Sequence, residues 1–307
     1  MKPTLRDVST DPVLSNVAIA YENESYISEE ILRPYTSTKQ SGKYYKFDKS
    51  KFRNEYDKRA PGAKSKEATP WNVSTGTFFC EDHALKDIVP KEIEDQADAP
   101  IDAQKDTVEA LTEVLKVNKE KAAADYLTSS TNITQYTALS GTSQWSDFEN
   151  SDPIKDIKTG KSTVHASIFK DPNVLVLGKP VFDKLVDHPD IVDRIKYSGP
   201  GVVAEDVLAR VFQVEKVLVG AAGYNSVKEG QTDSMSYIWG KNALLCYVNN
   251  GSNLKSITLG WTVKYQNFTV KKWYDEDAEG TYIRVNEYYD QVYACPTAAY
   301  LIKAAVA

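Results

Sequence analysis

The residues of this sequence that come nearest to a known chemical motif are Gly-Lys-Ser-Thr at positions 160–163. In many enzymes these residues end a loop that binds nucleotide phosphates. That loop requires an earlier glycine, where this chain has Lys155, and it follows a strand. Asp152 and Pro153 instead predict the start of a helix that continues to Phe169. We therefore predict that the motif lies on a solvated helical face, and nucleotide binding through Lys161 and Ser162 is the minor alternative.

A second candidate is the acidic stretch DEDAEG. Asp275, Asp277 and Glu279 match the first, third and fifth positions of a calcium-binding loop, and Gly280 matches the sixth. The twelfth position is Asn286, where such loops have a bidentate Glu, and the flanking segments have strand patterns. A solvated hairpin turn is the favoured interpretation, and weak cation binding is the alternative.

The histidines and cysteines form no recognisable catalytic or metal-binding pattern. No Gly-x-Ser-x-Gly or His-Glu-x-x-His motif occurs, and the cysteines are too far apart in sequence for a Cys-x-x-Cys site. These residues are His83, His165, His188, Cys80, Cys246 and Cys295. We predict structural or surface roles for the histidines, and we expect no enzyme activity, cofactor or metal.

The amino-acid composition and the net charge argue against further classes of protein. The chain has 307 residues, a formal net charge of -6 and 19 tyrosines. This acidic balance does not fit a sequence-specific nucleic-acid reader, which usually carries a basic stripe. No segment is long and apolar enough to predict a membrane span or a secretion signal. The many tyrosines indicate extensive interfaces.

The elements that would position these residues follow an unusual order. Residues 1–42 have no sustained period and are interpreted as an arm, and alternation predicts strands near Tyr45 and over Thr75–Glu81. The strongest helix is predicted from Asp102 to about Leu127, with a stripe of apolar residues on one side. The stripe consists of Val108, Leu111, Leu115, Ala122 and Leu127.

The remaining sequence predicts an α/β layer and then long strands. Residues 130–255 alternate buried strands such as NVLVLG with helices, and long alternating strands begin near Ile257. The apolar segment PTAAYLIKAAVA follows them. Between the first two strands, the polar loop Lys49–Lys66 mixes both charges, which favours a contact between subunits over nucleic-acid binding.

In this order, the chain resembles major capsid proteins of tailed phages with the Hong Kong 97 fold, which is an α+β fold. The similar stretches are RAPGAK, DAPIDAQKDTVEALTEVLKVNKEKAAADYL, NVLVLGKPVFDKLVDHPDI, YIWGKNALLCYV and YDQVYACPTAAYLIKAA. The resemblance implies an N-terminal arm (1–42), an extended β-hairpin loop (43–85), a peripheral domain with a long spine helix (86–129 and 256–294) and an α/β axial domain (130–255 and 295–307). Arg53, Lys58, Arg59 and Trp71 are the expected contacts between subunits.

The resemblance also implies the function and the partners. The expected protein is a structural subunit that forms hexamers and pentamers of an icosahedral shell around double-stranded DNA, without sequence-specific binding. A portal protein, a separate scaffolding protein and in some shells a decoration protein are expected partners, and no membrane is involved. The location is the virion capsid, and the host cytoplasm during assembly. We hypothesise maturation without covalent crosslinks, and an encapsulin-like compartment shell is the alternative within the same fold.

Overall fold

A long helix on a four-stranded sheet and a five-stranded α/β layer form the frame of the molecule in the computed structural model. The structure describes residues 26–46, 54–55, 57–65, 67, 74–96, 102–196, 204–227, 230–249, 251 and 256–307. The described chain begins with the short helix α1 (Ser28–Ile31) and strand β1 (Arg33–Thr36). Ile31 and Leu32 are fully buried, so part of the segment that was predicted to be an arm is packed into the subunit.

The two strands predicted around the charged loop form an antiparallel hairpin. They are β2 (Ser41–Lys46) and β3 (Ser74–Phe79), with Tyr44 opposite Gly76. The Tyr44 ring lies over this glycine, where an added Cβ atom would be 2.4 Å from the ring Cζ. Tyr44 and Phe78 therefore form a small core with Trp261 and other residues of the long sheet.

The predicted spine helix is confirmed as α3 (Ala103–Leu127), a rod of about 38 Å at 1.5 Å per residue. The Asp102 side chain accepts a hydrogen bond from the Lys105 N–H at 3.1 Å and caps its first turn. Ala122 of the predicted apolar stripe is exposed, whereas Lys119 and Glu120 are buried. The helix face that carries Lys119 and Glu120 therefore points to the protein interior. The periodicity of the hydrophobic residues could not indicate this, because both residues are charged.

The long sheet has the strand order β1-β11-β12-β4 and supports α3 on one face. Its strands are β4 (Glu81–Pro90), β11 (Gly260–Asp275) and β12 (Gly280–Tyr293), and the short helix α2 (Lys91–Gln96) follows β4. The two long strands predicted after residue 257 are confirmed as the hairpin β11–β12. β1 pairs in parallel with β11 only between residues 261 and 264.

The α/β layer has the strand order β5-β13-β10-β6-β7. Its central strands are buried on both faces, as in Val174–Gly178, where every residue is buried, whereas the edge strand Tyr136–Ala138 is exposed. Leu175 and Leu177 belong to the core on one face and Val176 to the core on the other, which explains the continuous apolar run NVLVLG. The strands are β5 (Tyr136–Ala138), β6 (Val174–Gly178), β7 (Lys216–Gly220), β10 (Ala243–Cys246) and β13 (Ala299–Lys303).

Four helices cover one face of this layer, and a two-stranded sheet lies beside it. The helix predicted from Asp152 is confirmed as α4 (Pro153–Ile168), and the Asp152 side chain accepts a hydrogen bond from the Lys155 N–H at 2.9 Å. The other helices are α5 (Lys179–Val186), α6 (Pro189–Ile195) and α7 (Glu205–Phe212). The small sheet pairs β8 (Gly223–Asn225) with β9 (Met235–Tyr237).

Candidate functional site

The Gly-Lys-Ser-Thr motif lies inside α4, as predicted, and not in a loop. Gly160 is buried where this helix crosses the five-stranded sheet. An added Cβ atom would lie 2.7 Å from Leu245 Cδ1 and 2.8 Å from Tyr300 Cδ1. The glycine therefore permits close packing of the helix on the sheet.

Lys161 binds backbone groups at the end of a neighbouring helix. Its Nζ donates hydrogen bonds to the carbonyl oxygens of Phe212 at 3.2 Å and Gln213 at 2.7 Å. Carbonyl groups at the C-terminal end of a helix lack helical partners, and a cation there also interacts favourably with the helix dipole. Inside α4, the backbone N–H groups of the motif are used within the helix and are not directed at a phosphate.

The acidic stretch DEDAEG forms the turn between β11 and β12, as predicted. Asp275 Oδ1 accepts hydrogen bonds from the N–H groups of Asp277 at 3.1 Å and Ala278 at 3.4 Å, and both flanking segments are strands. Within the described ranges, no group of three or more His, Cys, Asp or Glu side chains is arranged to hold a metal ion. The carboxylate of Asp275 stabilises the turn.

His188 is buried at the start of α6. Its Nε2 lies 3.0 Å from Ser151 Oγ, and its Nδ1 accepts a hydrogen bond from the Asp190 N–H at 3.3 Å. Burial lowers the pKa of His188, and the negative charges of Asp190 and Asp152 offset this effect only in part. The ring therefore caps a helix in its neutral form.

The other histidines and the cysteines are also engaged in packing or surface contacts. His165 Nδ1 lies 3.0 Å from Asp171 Oδ1, and the His83 ring stacks on Tyr289 with a centroid distance of 4.1 Å. All three cysteines are free and buried, and burial raises the pKa of the Cys246 thiol to about 12. A thiol with such a pKa is a poor nucleophile near neutral pH.

The most concentrated polar site in the described chain surrounds the buried face of α3. Glu120 is fully buried and accepts three hydrogen bonds. The donors are the Ile27 N–H at 3.1 Å, the Ser28 N–H at 2.9 Å and Trp239 Nε1 at 2.7 Å. One carboxylate therefore connects the segment before α1, the long helix and the loop before β10.

The neighbouring residue Lys119 belongs to a network of four charges. Its Nζ lies 2.7 Å from Glu29 Oε1 and 3.1 Å from Glu287 Oε2. Lys264 contacts the same two carboxylates, at 2.7 Å and 3.3 Å. Burial alone would lower the pKa of Lys264, but the hydrogen bonds and charges of Glu29 and Glu287 outweigh it and raise this pKa. The network joins α1, α3, β11 and β12.

The loop between β2 and β3 contains the residues expected to contact other subunits. Lys58 and Arg59 are exposed, and Arg59 Nη1 donates a hydrogen bond to the Ala63 carbonyl at 3.1 Å. Arg53 and Trp71 lie outside the described residues. At the base of this hairpin, Phe79 is 56% exposed, and no pattern in the sequence indicated this apolar surface.

The outer half of the long β11–β12 hairpin is also exposed. Every residue of β11 from 266 to 274 is exposed, including Phe268, Trp273 and Tyr274. In the described part of the chain, β1 pairs with β11 only as far as Lys264, so the edge of this outer half is open. Exposed apolar patches of this kind mark contact surfaces for other molecules. No helix among the described residues is long and apolar enough to span a bilayer.

No family model matches the chain, but individual proteins do. A major capsid protein from Burkholderia phage BcepMu is 32% identical over 243 residues, which cover 78% of this chain and 76% of that protein. A major capsid protein from Pseudomonas phage JBD67 is 28% identical over 311 aligned positions and covers 97% of both chains.

Solved structures with the same architecture span nearly the whole chain. A phage-related protein from Bordetella bronchiseptica RB50 has a TM-score of 0.72 at 25% identity and covers 96% of this chain and 97% of its own. The capsid protein of cyanophage P-SCSP1u has a TM-score of 0.63 at 10% identity, with coverage of 92% and 89%. The similarity therefore includes both sheets and the long helix.

Proposed function

This chain belongs to the family of phage major capsid proteins, and on that premise we propose that its copies form the hexamers and pentamers of an icosahedral shell around double-stranded DNA. The observation that carries the proposal is the 32% identity to a phage capsid protein over 78% of the chain. The fold is of the Hong Kong 97 type, as the similarity to the cyanophage capsid shows.

We propose the same division of the chain that the resemblance implies. The arm would be 1–42, the extended loop 43–85, the peripheral domain 86–129 with 256–294, and the axial domain 130–255 with 295–307. The pairing of β10 with β13 supports the inclusion of residues 295–307 in the axial domain. Strand β4 crosses the boundary at residue 85, because it pairs with β12 from Glu81 to Pro90.

The extended loop is the proposed contact between neighbouring subunits. Arg53, Lys58, Arg59 and Trp71 are the proposed contact residues. The exposure of Lys58 and Arg59 supports this assignment, since neither side chain is buried within its own subunit. Exposed polar contacts are individually weak, but a closed shell repeats each of them at every equivalent interface.

The proposed role is structural and not enzymatic. Helix packing by Gly160 and helix capping by Lys161 support this proposal, since the motif is already used inside the subunit. We further propose a separate scaffolding protein, a portal protein and, in some shells, a decoration protein as partners. Assembly would take place in the host cytoplasm, without a membrane, and DNA would be enclosed without sequence-specific contacts.

An encapsulin-like compartment shell would use the same fold, but the curated relatives favour a phage capsid. The two functions differ in their genetic context. A shell of the encapsulin type would be encoded beside a cargo enzyme, and a phage capsid beside portal and packaging genes.

Negative-stain electron microscopy of the expressed chain, with and without its neighbouring genes, tests the proposal directly. We expect closed particles or hexameric and pentameric rings. A stable monomer or small dimer under all of these conditions would contradict the proposed function. ATP binding that is abolished by Lys161→Ala would instead support the nucleotide-dependent alternative.

A further inference from the structure

The end of the long sheet near the β11–β12 turn has a row of cations on the face that lies opposite α3. Lys271 pairs with Arg284 on β12, and Arg284 pairs with Lys86 on β4. Residues in register on adjacent strands project on the same face, so the three side chains form one row across the sheet. Arg284 also binds Asp82, whereas Lys271 and Lys86 have no ion-pair partner within the described ranges.

Aromatic side chains form the next row towards the turn. Trp273 pairs with Tyr282, and their rings stack with a centroid distance of 5.4 Å. Lys86 Nζ lies 4.7 Å from the centre of the Tyr282 ring. Trp273 remains 42% exposed. Arginine and aromatic side chains are enriched at protein interfaces, and surfaces of opposite charge meet there.

The other face of the same end of the molecule is acidic. The short helix α2 carries Glu92, Glu94 and Asp95, all exposed, and lies beside the start of α3. Gln104 of α3 donates a hydrogen bond to Glu94 at 2.7 Å and accepts one from Lys272 at 3.0 Å. Lys272 follows Lys271 in the strand, so it projects on the opposite face, and α2 therefore lies on the side that faces away from the cation row.

The first turns of α3 add further negative charge to this side. Asp102, Asp106 and Glu109 are exposed there. Partial burial, together with the negative charges of Glu109 and Asp102, raises the pKa of Asp106. One end of the subunit thus has a front with a positive balance, in which Lys86, Lys271 and Arg284 outnumber Asp82 beside Trp273 and Tyr282. Its back has a negative balance, in which six acidic residues outnumber Lys91, Lys105 and Lys272. The six are Glu92, Glu94, Asp95, Asp102, Asp106 and Glu109.

We propose that the acidic back of one copy binds the cationic front of the next copy. Such a contact is heterologous, because two different surfaces of the same chain meet, and repetition around a rotation axis closes a ring. The occupant of the front is therefore a second copy of this chain. This inference rests on the proposed assembly function and assigns the charge contact to particular residues.

The decisive experiment uses charge reversal on both surfaces. Lys86→Glu with Lys271→Glu changes the charged groups of the front from a net charge of +2 to -2, and Glu92→Lys with Asp95→Lys changes those of the back from -3 to +1. We expect each double variant to lower the association constant of this contact by about tenfold or more, a change that corresponds to about 1.4 kcal/mol. Since every copy carries both surfaces, the chain with all four substitutions should recover assembly. Sedimentation velocity and negative-stain images give the assembled fraction.

Control variants distinguish the loss of the contact between copies from a loss of folding and from an effect of the changed net charge. The four-substitution chain has the same net charge as the unchanged protein, and Lys86→Arg with Lys271→Arg should leave assembly unchanged. Circular dichroism should show equal melting temperatures for all variants. A raised salt concentration should weaken assembly of the unchanged chain, because the charged groups are exposed to solvent.

Three results would overturn the proposal. Both double variants could assemble as the unchanged chain does, or the four-substitution chain could fail to recover. Loss of assembly on reversal of the front alone would show that another acidic partner, such as nucleic acid, occupies it. If the unchanged chain forms no rings or particles, then the proposed function itself fails, which is a different outcome.

Discussion

Lys161 donates hydrogen bonds to carbonyl groups at the C-terminal end of α7, and the loss of these bonds determines the effect of replacing Lys161. Lys161→Ala removes a charge-assisted cap from that helix, so we expect the free energy of unfolding to fall by about 1 kcal/mol. Urea denaturation of the unassembled subunit measures this change.

Lys158→Ala is the matched control for that substitution. Lys158 lies in the same helix and is exposed, so its replacement should change stability by less than about 0.5 kcal/mol. Nucleotide titrations should show the same absence of binding for both variants. Equal stability of the two variants would contradict the capping role.

His188 predicts a dependence of stability on pH. Its pKa is lowered in the folded state, so the unfolded chain takes up the proton first when the pH falls. The contribution of neutral His188 is complete above its ordinary pKa of about 6.5 and decreases as the pH falls below that value. We expect the free energy of unfolding to decrease on acidification over this range.

His188→Asn isolates this effect, because Asn also caps helices but does not titrate. The variant should show a smaller loss of stability than the unchanged subunit between about pH 7 and pH 5.5. An identical slope for His188→Asn would contradict the prediction.

At the scale of elements, the charge network of Lys119 fastens the long helix to the long sheet. Lys119 and Glu287 are almost fully buried, so Lys119→Met leaves the buried carboxylate of Glu287 with Lys264 as its one cationic partner among the described residues. We expect a loss of about 3 kcal/mol. The loss should be smaller when Glu287→Gln is added, and a double-mutant cycle by urea denaturation gives the coupling energy.

Additive effects of the two substitutions would show that the helix and the sheet are not coupled through this pair. Lys105→Met with Glu109→Gln serves as the control, since that pair lies on the same helix at 3.8 Å and is exposed. Its coupling energy should be below about 0.5 kcal/mol.

Elements with strong local signals were predictable from the sequence. Asp102 and Asp152 cap α3 and α4 with their side chains, and Pro153 occupies the first position of α4, so a few adjacent residues define both starts. The hairpin β11–β12 was predictable for the same reason, because alternation and an acidic turn are local features.

Elements that depend on distant partners were not predictable. Strand β13 pairs with β10 and β5, which are far away in the sequence. The residue pattern indicated only an apolar segment there, and its assignment to the axial domain came from the resemblance alone. The burial of Lys119 and Glu120 was missed because charges on a helix usually indicate its solvent face. Only the folded chain brings Glu29, Lys264 and Glu287 to them.

At the scale of the whole molecule, the α/β layer should control whether any assembly is possible. Leu301 lies in β13 and is fully buried. Leu301→Asp places a charge in this core, and we expect a loss of more than about 4 kcal/mol. Circular dichroism and gel filtration should show an unfolded or aggregated chain.

Lys303→Asp at the end of the same strand is the control, since Lys303 is only half-buried. This variant should fold. The contrast with the charge reversals at Lys86 and Lys271 is informative, because those variants should remain folded and fail only in association. A folded Leu301→Asp subunit would mean that β13 does not support the layer.

The position of β13 determines at what stage of translation the α/β layer of a subunit can be completed. Residues 299–303 form an inner strand of the layer, between β5 and β10, yet they are translated after every other strand of the structure. The chain must therefore have left the ribosome as far as residue 303 before this layer can close. Until then β5 and β10 lack the strand that pairs with both of them, so the layer is incomplete while every earlier strand has already been translated.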